Sequence, residues 1–569
     1  MTCAEFSAIR FGVFLQGRTL RHWEWQSIER LRAAGAECLY IFSPAEMPTR
    51  QPAIVQVMDR WVQSIAGLAD QSHGKIEELD PQRHQPSTIL ALDSTEEGAP
   101  AISEVQRQQV LDQGLKFVLF FGMEVPRGLP ACAELGVWRF TRASGAGKDY
   151  PFVDGLRQRH DVVSFGLEQV TEDERPNRTL LTGHFRARGE RNRAVTAQIL
   201  SEASGWPLRV LKHVVLNCGL PPMLESSCRH PPRSDVFTVL LSLVLRDVLV
   251  GLSSKLANYL VLETWTLGVG RMKFEALLAG APLSQVRLLP RCELGRYIAD
   301  PFILSTTPEL TLLAEDYTDF GVGRISEVKV RDPFGTPQVG LRTCLQSAHH
   351  MSYPSLFCEN GAVYCLPECH QSRASVLYRY DEGRLSPVAD LIPGAATTDS
   401  TILFHEGLYW LFCGLADDND QVNLHLFFSK ELRGGWIPHP LNPVKTDIRS
   451  SRSAGPIIRH GGRLFRPAQD CSKSYGYGLS INRIDRLTVT CFEETVIFQI
   501  RPEMVARSCK GVHTLSFADD FMVIDAKFHL VGVEPVLVRA LRRIERIRNR
   551  LPAASNPAPP HIARDASVE

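Results

Sequence analysis

Three features that would assign this chain to a special class of protein are missing. Its 63 Lys and Arg residues balance 63 Asp and Glu residues, so no overall charge favours binding to nucleic acid. None of the 14 cysteines stands in a C-x-x-C pair, which favours reduced thiols and a cytoplasmic location over a disulfide scaffold. Residues 1–18 lack the basic stretch and long apolar core of a secretory signal.

A membrane-spanning helix is also not indicated. The most apolar stretch, residues 236–252, carries Arg246 and Asp247 at its centre. Each such charge costs about 2.5–3.5 kcal/mol at the centre of a bilayer, so we expect a buried or amphipathic helix there. Residues 535–550 predict a helix with six arginines, one glutamate and an apolar stripe. That stripe either docks on the protein, which we favour, or makes peripheral contact with an anionic membrane.

The sequence does contain a degenerate repeat between Asp300 and Lys527. A short apolar strand with a small or polar opening residue recurs at 299–305, 352–357, 398–404, 453–459 and 511–517. Each is followed by a second strand, and several units add a third. Units of about 40–50 residues with several strands are typical of a β-propeller, so we predict five blades. A β-sandwich is the alternative, but its strands do not recur as multi-strand units.

The residues before this repeat predict a separate α/β domain. A strand at 8–15, a helix at 20–35 and a strand at 37–43 open it. A second helix is predicted at 103–114, with Ser103 as its N-cap, followed by a buried strand at 115–122.

We therefore predict a multi-domain chain in four parts. Residues 1–204 form the α/β domain, and residues 205–263 form a Pro-rich linker and a helix. Residues 264–530 form an all-β five-bladed propeller, in which a lone strand at 264–272 completes the last blade. Residues 531–569 form the basic amphipathic helix and a disordered tail.

Polar residues at the starts of inner blade strands converge on the channel of a propeller. The candidate catalytic residues are Asp300, Glu368 and Asp399. The candidate substrate-binding residues are Tyr353, Arg452, Gln469, Asp470, His513 and Asp525. Several acids and a few cations around one funnel are typical of sugar binding, and two carboxylates with separated pKa values suit acid/base glycosidic chemistry.

Each of these residues also has a purely local interpretation. Asp-Pro at 300–301 and Asp-Ser-Thr at 399–401 are good turn and strand-entry sequences. A metal site from His349, His350 and Glu368 is disfavoured, because adjacent residues on a strand face opposite ways. We predict no metal and no cofactor.

Residues 114–142, GLKFVLFFGMEVPRGLPACAELGVWRFTR, resemble the N-terminal fold of formyltransferases, such as methionyl-tRNA and sugar formyltransferases. The resemblance implies a catalytic Asn and His after the second strand, where this chain has RFTR at 139–142. His160 and Asp161 lie further on, at a strand start. We therefore expect a formyltransferase-like domain without formyl transfer. The basic turn at 186–193 is either a phosphate contact or, as we favour, a solvated turn.

The repeat region resembles a second family. W-x-x-H-P-x-N-P-V at 436–444 and R-P-x-Q-D-C-x-x-x-Y-G at 466–476 are similar to the N-terminal propeller-like domain of glucosamine inositolphosphorylceramide transferases. In the plant proteins a separate glycosyltransferase domain, with no counterpart here, carries the sugar transfer. The region also looks distantly like five-bladed furanosidase-type glycosidases. That likeness implies Asp300 as base, with Glu368 and Asp399 as the other carboxylates.

These resemblances imply a carbohydrate-active protein of bacterial glycan or glycolipid biosynthesis, with transferase or glycosidase-like chemistry. Its ligand would be a sugar or sugar-nucleotide, and its partners would be glycan-assembly enzymes. Arg452 would pair with a phosphate or carboxylate, while Tyr353 and His513 would orient hydroxyls. The alternative is a non-catalytic scaffold that binds a glycan or a protein and carries an inert first domain.

Overall fold

The chain forms an α/β sheet followed by a five-bladed β-propeller. The structure, a computed structural model, describes residues 6–43, 76–78, 89–91, 101–141, 155–221, 241–252 and 260–532 with short internal gaps, and single positions up to 540. The predicted basic helix at 535–550 and the tail after it lie almost entirely outside the described residues.

The N-terminal domain is built on one seven-stranded sheet and one short two-stranded sheet. Its strands are β1 Arg10–Gln16, β2 Thr19–Arg21, β3 Glu37–Ser43, β4 Ile76–Glu78, β5 Ile89–Ala91, β6 Phe117–Phe120, β7 Val137–Phe140, β8 Val162–Val170 and β9 Arg178–Arg186. The large sheet has the order β5-β3-β1-β6-β7-β8-β9, while β2 pairs with β4. The neighbouring strands β5, β3, β1, β6 and β7 are parallel to one another. Strands β8 and β9 form an antiparallel hairpin.

The described residues beside these strands include four helices: α1 His22–Ala33, α2 Glu104–Leu111, α3 Asn192–Ala203 and α4 Trp206–Asn217. The end of α1 depends on Gly35, whose φ of 108° lies in the left-handed region that glycine adopts most easily. The start of α2 is a capping box, in which the Gln106 N–H donates to Ser103 Oγ and the Ser103 N–H donates to Gln106 Oε1. The α/β class predicted for this part of the chain is therefore observed.

Helix α4 corrects the predicted linker at 205–263. Trp206, Val210 and Leu211 lie on one face of α4 and are buried in the core of the N-terminal domain. Pro207 is compatible with the helix because it lies in the first turn. The N–H groups of that turn have no partner within the helix, so the missing N–H of proline costs no hydrogen bond. The Pro-rich composition predicted a linker here, whereas the i, i+4 spacing of the apolar residues indicates the helix.

The charged centre of the 236–252 stretch packs against the same domain. Arg246 is buried and donates hydrogen bonds to Asn192 Oδ1 and to the Ala187 carbonyl. Asp247 accepts a hydrogen bond of 3.0 Å from the Asn192 N–H at the start of α3. In the part of the chain that the structure describes, no helix has both the length and the hydropathy to cross a bilayer.

The propeller consists of five sheets, of which the third has five strands and the others have four. The first four blades are contiguous in the chain. Blade 1 is β12 Arg296–Ser305, β13 Leu310–Thr318, β14 Arg324–Arg331 and β15 Gln338–Leu345. Blade 2 is β16 Ser352–Glu359, β17 Ala362–Glu368, β18 Val376–Asp381 and β19 Arg384–Asp390. Blade 3 is β20 Thr397–His405, β21 Leu408–Leu415, β22 Asn423–Ser429 and β23 Ile437–Pro438, with β24 Lys445–Thr446 also paired to β22. Blade 4 is β25 Ile458–His460, β26 Arg463–Asp470, β27 Gly478–Thr488 and β28 Cys491–Ile500.

Blade 5 joins the two ends of the propeller. It has the order β11-β10-β30-β29, from β10 Val261–Arg271, β11 Arg287–Leu288, β29 Leu515–Ala518 and β30 Phe521–Val531. Short helices α5 Phe274–Leu278 and α6 Pro502–Val505 pack beside it. The antiparallel pairing of β10 with β30 is continuous from Val261↔Val531 to Arg271↔Phe521. The predicted five blades and the predicted closing strand are both confirmed.

The propeller and the N-terminal domain share a hydrophobic core. Val422 of blade 3, Ile448 and Cys471 of blade 4 are buried in the same cluster as the β-strands and helices of the first domain. The Ile448 N–H donates to the His184 carbonyl over 3.0 Å, which connects β9 to the propeller. The N-terminal domain is thus seated on the loops of blades 3 and 4.

Closure by β10 leads to a stability prediction. Leu267 is 2% exposed and packs with the core residues of blade 1. We expect Leu267→Ala to lower the free energy of unfolding by about 2–5 kcal/mol, because it leaves a cavity in the core where the closing strand packs against blade 1. Denaturant titration followed by circular dichroism measures the change.

Val531→Ala is the matched control, since this residue lies in the partner strand and is 73% exposed. Equal losses in the two variants would contradict a special contribution of the closing strand.

Candidate functional site

In three blades, one residue of the inner strand has the same unusual backbone conformation. Asp300, Tyr353 and Asp399 have φ values of 51°, 45° and 43°. Each sits at a break in the pairing of its inner strand, between Ala299 and Phe302 in blade 1 and at the equivalent points in blades 2 and 3. Such bulges turn a side chain away from the regular alternation of the strand. In blade 4 the corresponding residue is Gly455, with φ of 136°.

One half of the site is formed by blades 1 and 5. Asp300 accepts hydrogen bonds from the Tyr353 N–H over 3.1 Å and from Thr514 Oγ1 over 2.6 Å. Asp525 accepts from the N–H groups of Asp300, His513 and Thr514 over 2.8–3.1 Å. The His513 ring lies 2.5 Å from Asp525 through Nδ1 and 3.7 Å from Asp300 through Nε2.

The other half is an ion-pair network around Arg452. Its Nε donates to Asp399 Oδ2 over 2.6 Å, and its Nη2 donates to Glu368 Oε2 over 3.3 Å. Its Nη1 donates to Asp420. Gln469 Nε2 adds a hydrogen bond of 2.7 Å to Asp399 Oδ2. One guanidinium therefore holds carboxylates from blades 2 and 3.

Glu315 is a site carboxylate that the sequence analysis missed. It lies in β13 opposite Ala299, next to Asp300, and is 5% exposed. Its carboxylate lies 3.3 Å from His350 Nε2. The signal in the sequence was the acid that ends the otherwise apolar run LTLLAE at 310–315. An acid in that position gains a partner only through the tertiary structure.

The protonation states of these carboxylates differ. Burial raises the pKa of Glu315, and the negative charges of Asp300 and Glu368 raise it further. Burial acts in the same direction on Glu368, but hydrogen bonding to His370 and the charge of Arg452 outweigh it and lower this pKa to about 2. Burial also raises the pKa of Asp399 and of Asp300, although the charges of Arg452 and His513 act against it. Glu315 is therefore one of three carboxyls in the cluster that favour the protonated form, whereas Glu368 favours the ionised form.

Two other sequence candidates have different surroundings. The Tyr353 hydroxyl is buried between blades, where it pairs with Thr401 Oγ1 at 2.9 Å and accepts from the Gly455 N–H at 2.7 Å. Asp470 lies outside the Arg452 network, and its carboxylate accepts from the Ser472 N–H at 2.9 Å. The structure thus unites Asp300, Glu368, Asp399, Arg452, Gln469, His513 and Asp525, but leaves Asp470 apart.

Aromatic side chains line the same channel. The Trp265 and His513 rings are stacked at a centroid distance of 4.0 Å, and Tyr475 meets His513 edge-on at 5.6 Å. The Arg452 guanidinium lies 5.3 Å from the centroid of the Tyr475 ring. Tyr475 is 37% exposed, so this ring marks the mouth of the channel.

A cation could be held at one point of the cluster. Among the described residues, Asp300, His513 and Asp525 bring ligand atoms within 4.8 Å of one another. This group differs from the set weighed in the sequence analysis, because His350 faces Glu315 rather than Glu368.

The positions where formyltransferases carry Asn and His hold residues with structural contacts. Arg139 Nε donates to Glu168 over 2.9 Å, and Phe140 is 1% exposed in the core. Thr141 Oγ1 accepts from the Gly166 N–H over 3.0 Å. These contacts use the side chains to join strands of the sheet.

Fold and site together define a five-bladed propeller protein with a channel of buried carboxylates. Residues 290–516 match the family described as glucosamine inositolphosphorylceramide transferase 1, N-terminal. The resemblance predicted from the motifs of the repeat region is confirmed over these residues. The match begins after the N-terminal domain, so the formyltransferase resemblance stays a prediction.

Curated plant proteins named glucosamine inositolphosphorylceramide transferase 1 are similar to this chain. The one from Arabidopsis thaliana is 32% identical over 212 residues, which cover 36% of this chain and 27% of that protein. The one from Oryza sativa subsp. japonica is 30% identical over 223 residues, covering 36% of this chain and 28% of that protein. The chain spans little more than a quarter of their length.

Two glycosidases are distant structural neighbours. A GH43 β-1,3-galactosidase solved with galactodeoxynojirimycin is 11% identical at a TM-score of 0.31, covering 38% of this chain and 83% of that one. An α-L-arabinofuranosidase from Podospora anserina, solved with cellotriose, is 11% identical at 0.33, covering 44% and 95%. The five-bladed assignment rests on the sheet order described above, not on these likenesses.

The unequal protonation predicts opposite pH effects for two matched variants. The folded-state pKa of Glu315 is raised, so its contribution to stability is present below about 4.5 and is lost as the pH rises through the folded value. Glu315→Gln mimics the protonated form. We therefore expect its melting temperature to exceed that of the wild type at pH 8, with the difference vanishing towards pH 4.5.

Glu368→Gln should behave in the reverse way. The pKa of Glu368 is lowered to about 2, so its contribution is present above about 4.5 and is lost as the pH falls towards 2. We expect a loss on the order of 3 kcal/mol at pH 7, which shrinks in acid. Calorimetry from pH 3 to pH 9 measures both, and parallel profiles for the two variants would contradict the assignment.

Proposed function

We propose that this chain binds a sugar in the propeller channel and acts on it by acid/base chemistry. The observation that supports this is the convergence of five buried carboxylates from blades 1, 2, 3 and 5 with unequal protonation: Asp300, Glu315, Glu368, Asp399 and Asp525. Carboxylates whose pKa values are pushed apart are the groups that glycosidic chemistry uses as proton donor and as base or nucleophile.

In this proposal Glu315 donates the proton and Asp300 receives one or stabilises the positive charge that develops on the sugar ring. Glu315 is suited to the first task because burial keeps its pKa high. Asp300 lies 3.7 Å from His513 Nε2, and the Asp525 and Asp300 carboxylates outweigh burial and raise the pKa of that imidazole. Burial raises the pKa of Asp300, which suits a group that receives a proton, and the charge of a protonated His513 limits that rise.

The Arg452 network would orient the sugar rather than exchange protons with it. Glu368 and Asp399 both accept hydrogen bonds from Arg452 and use their remaining lone pairs for neighbours or ligand hydroxyls. Asp525 is fully buried and would hold the backbone of Asp300 and His513 in place. The family match and the plant relatives, whose names refer to glucosamine transfer, support a carbohydrate ligand.

A non-catalytic scaffold is the second candidate, and one observation favours it. Each of the five carboxylates is at most 7% exposed, and the Tyr353 hydroxyl has protein partners from neighbouring blades. A packed channel of this kind also serves to hold the blades together. On this alternative, the loops of the propeller would bind a glycan or a protein without turnover.

Ligand binding separates the two candidates. We expect thermal stabilisation by members of a panel of hexoses, hexosamines and their glycosides, because a ligand at a hundred times its Kd adds about 2.7 kcal/mol to the apparent stability. Asp300→Asn and Glu315→Gln should retain binding within about tenfold and lose turnover of the bound glycoside.

Glu382→Gln is the control, since this residue lies in an exposed turn of blade 2. Binding without turnover in the wild type would support the scaffold. No stabilisation by any sugar would sink the carbohydrate proposal.

A further inference from the structure

A second cavity lies beside the channel, between the N-terminal domain and the propeller. Its volume is about 330 Å³, and it is lined by residues of β9, α3 and the loop at 416–422 between β21 and β22. Asp420 contributes both to the cavity and to the acid network around Arg452. It lines this cavity, and its carboxylate accepts a hydrogen bond from Arg452 in the acid network. The ion pair of Asp420 with Arg452 therefore connects the lining of the cavity to the proposed sugar site.

The loop that carries Asp420 is held by the N-terminal domain. Gln198 Nε2 of α3 donates to Asn419 Oδ1 over 3.2 Å. Arg186 of β9 donates to Gln421 Oε1 and to the Cys471 carbonyl, each over 3.4 Å. Arg186 thus joins the loop of Asp420 to the segment that leads to Tyr475 at the channel mouth. These hydrogen bonds connect the wall of the cavity that the N-terminal domain provides to the wall that the propeller provides.

The charges around the cavity indicate what it would bind. Arg186 Nη2 is paired with Glu190 Oε1 at 2.8 Å, and Asp420 is paired with Arg452. Among the described lining residues, no cation is left over to neutralise a phosphate. The rest of the lining consists of the amides Gln198, Asn419 and Gln421 and the small apolar residues Ala194, Val195, Val422 and Ile448.

Amides and paired charges next to an apolar patch suit a neutral ligand with many hydroxyl groups. Beyond the contacts given above, Gln198 offers its Oε1 as an acceptor and Gln421 offers its Nε2 as a donor, so the lining can serve a hydroxyl in either role. A volume of about 330 Å³ is at the lower end of the range of small-molecule sites. A single hexose unit is the chemical group that fits these requirements.

We propose that this cavity is a second subsite, which receives a neutral sugar unit linked to the one in the channel. The inference rests on the proposed function and deepens it. The ligand is then an oligosaccharide, or the glycan part of a glycoconjugate, rather than a sugar-nucleotide. The N-terminal domain supplies one wall of the binding site through Arg186, Ala194 and Gln198.

The test compares matched ligands by isothermal titration calorimetry. For glucose, galactose, mannose and glucosamine, the probes are the monosaccharide, its disaccharide and its nucleoside-diphosphate derivative. We expect at least one disaccharide to bind about tenfold more tightly than its monosaccharide. Ala194→Trp should abolish this gain and leave monosaccharide affinity within about twofold, because Ala194 is an exposed residue of the cavity wall.

Arg193→Trp is the control, since it places the same indole ring at an exposed position of α3 outside the cavity lining. Gln198→Ala is a second variant that removes a hydrogen-bonding group without adding volume. Melting temperatures without ligand verify that each variant is folded.

Different failures distinguish this inference from the proposed function. Monosaccharide binding with no gain for any disaccharide would overturn the second subsite alone. The second subsite would also be overturned if Ala194→Trp and Arg193→Trp had equal effects on disaccharide affinity, or if the nucleotide derivatives bound most tightly. Absence of binding by every probe would overturn the proposed function and this inference together.

Discussion

The pairing of β10 with β30 is the interaction on which the rest of the propeller depends. It joins the two ends of the ring through eleven consecutive residue pairs inside blade 5, so neither the first nor the last long strand of the propeller is left as an open edge. Only a closed ring points all five inner strands at one axis. That is why Asp300 and Asp525, 225 positions apart in the chain, are joined by a hydrogen bond. The site is a consequence of closure.

Closure also creates an electrostatic difficulty, since it gathers several carboxylates in a space with little water. Removing charges from water is costly, and like charges raise the cost further. The structure meets this in two ways. Arg452 shares its guanidinium among Asp399, Glu368 and Asp420. Burial and neighbouring charge raise the pKa of Glu315, which favours its neutral form. The same arrangement that limits the cost produces a proton donor next to ionised groups.

The N-terminal domain is part of the architecture of the site and not an appendage. It shares a hydrophobic core with loops of blades 3 and 4, and those loops carry Asp420 and lead to Tyr475. Forces that hold the two domains together therefore also set the position of groups at the channel mouth. Such coupling is expected where the loops that bear a site are packed against a rigid element.

The sequence by itself determined much of the local structure. The alternation of the strands, the period of the repeat and the lone strand at 264–272 were enough to predict five blades and their closure, because these are properties of neighbouring residues. The same holds for Ser103 at the start of α2. Asp300, Asp399, Arg452 and His513 were found because inner strands of a propeller begin at its channel, and Glu368 was found at the end of the neighbouring strand β17.

The tertiary structure alone decided which polar residues meet and how they are protonated. Glu315 is an ordinary acid within a strand until β13 lies beside the bulge at Asp300. Tyr353 and Asp470 had the pattern of site residues, but the hydroxyl of one pairs with protein groups across the blades and the carboxylate of the other lies outside the Arg452 network. Helix α4 and the cavity beside Asp420 depend on contacts between distant segments. Burial and charge at close range are properties of the packed molecule, and no local pattern of residues contains them.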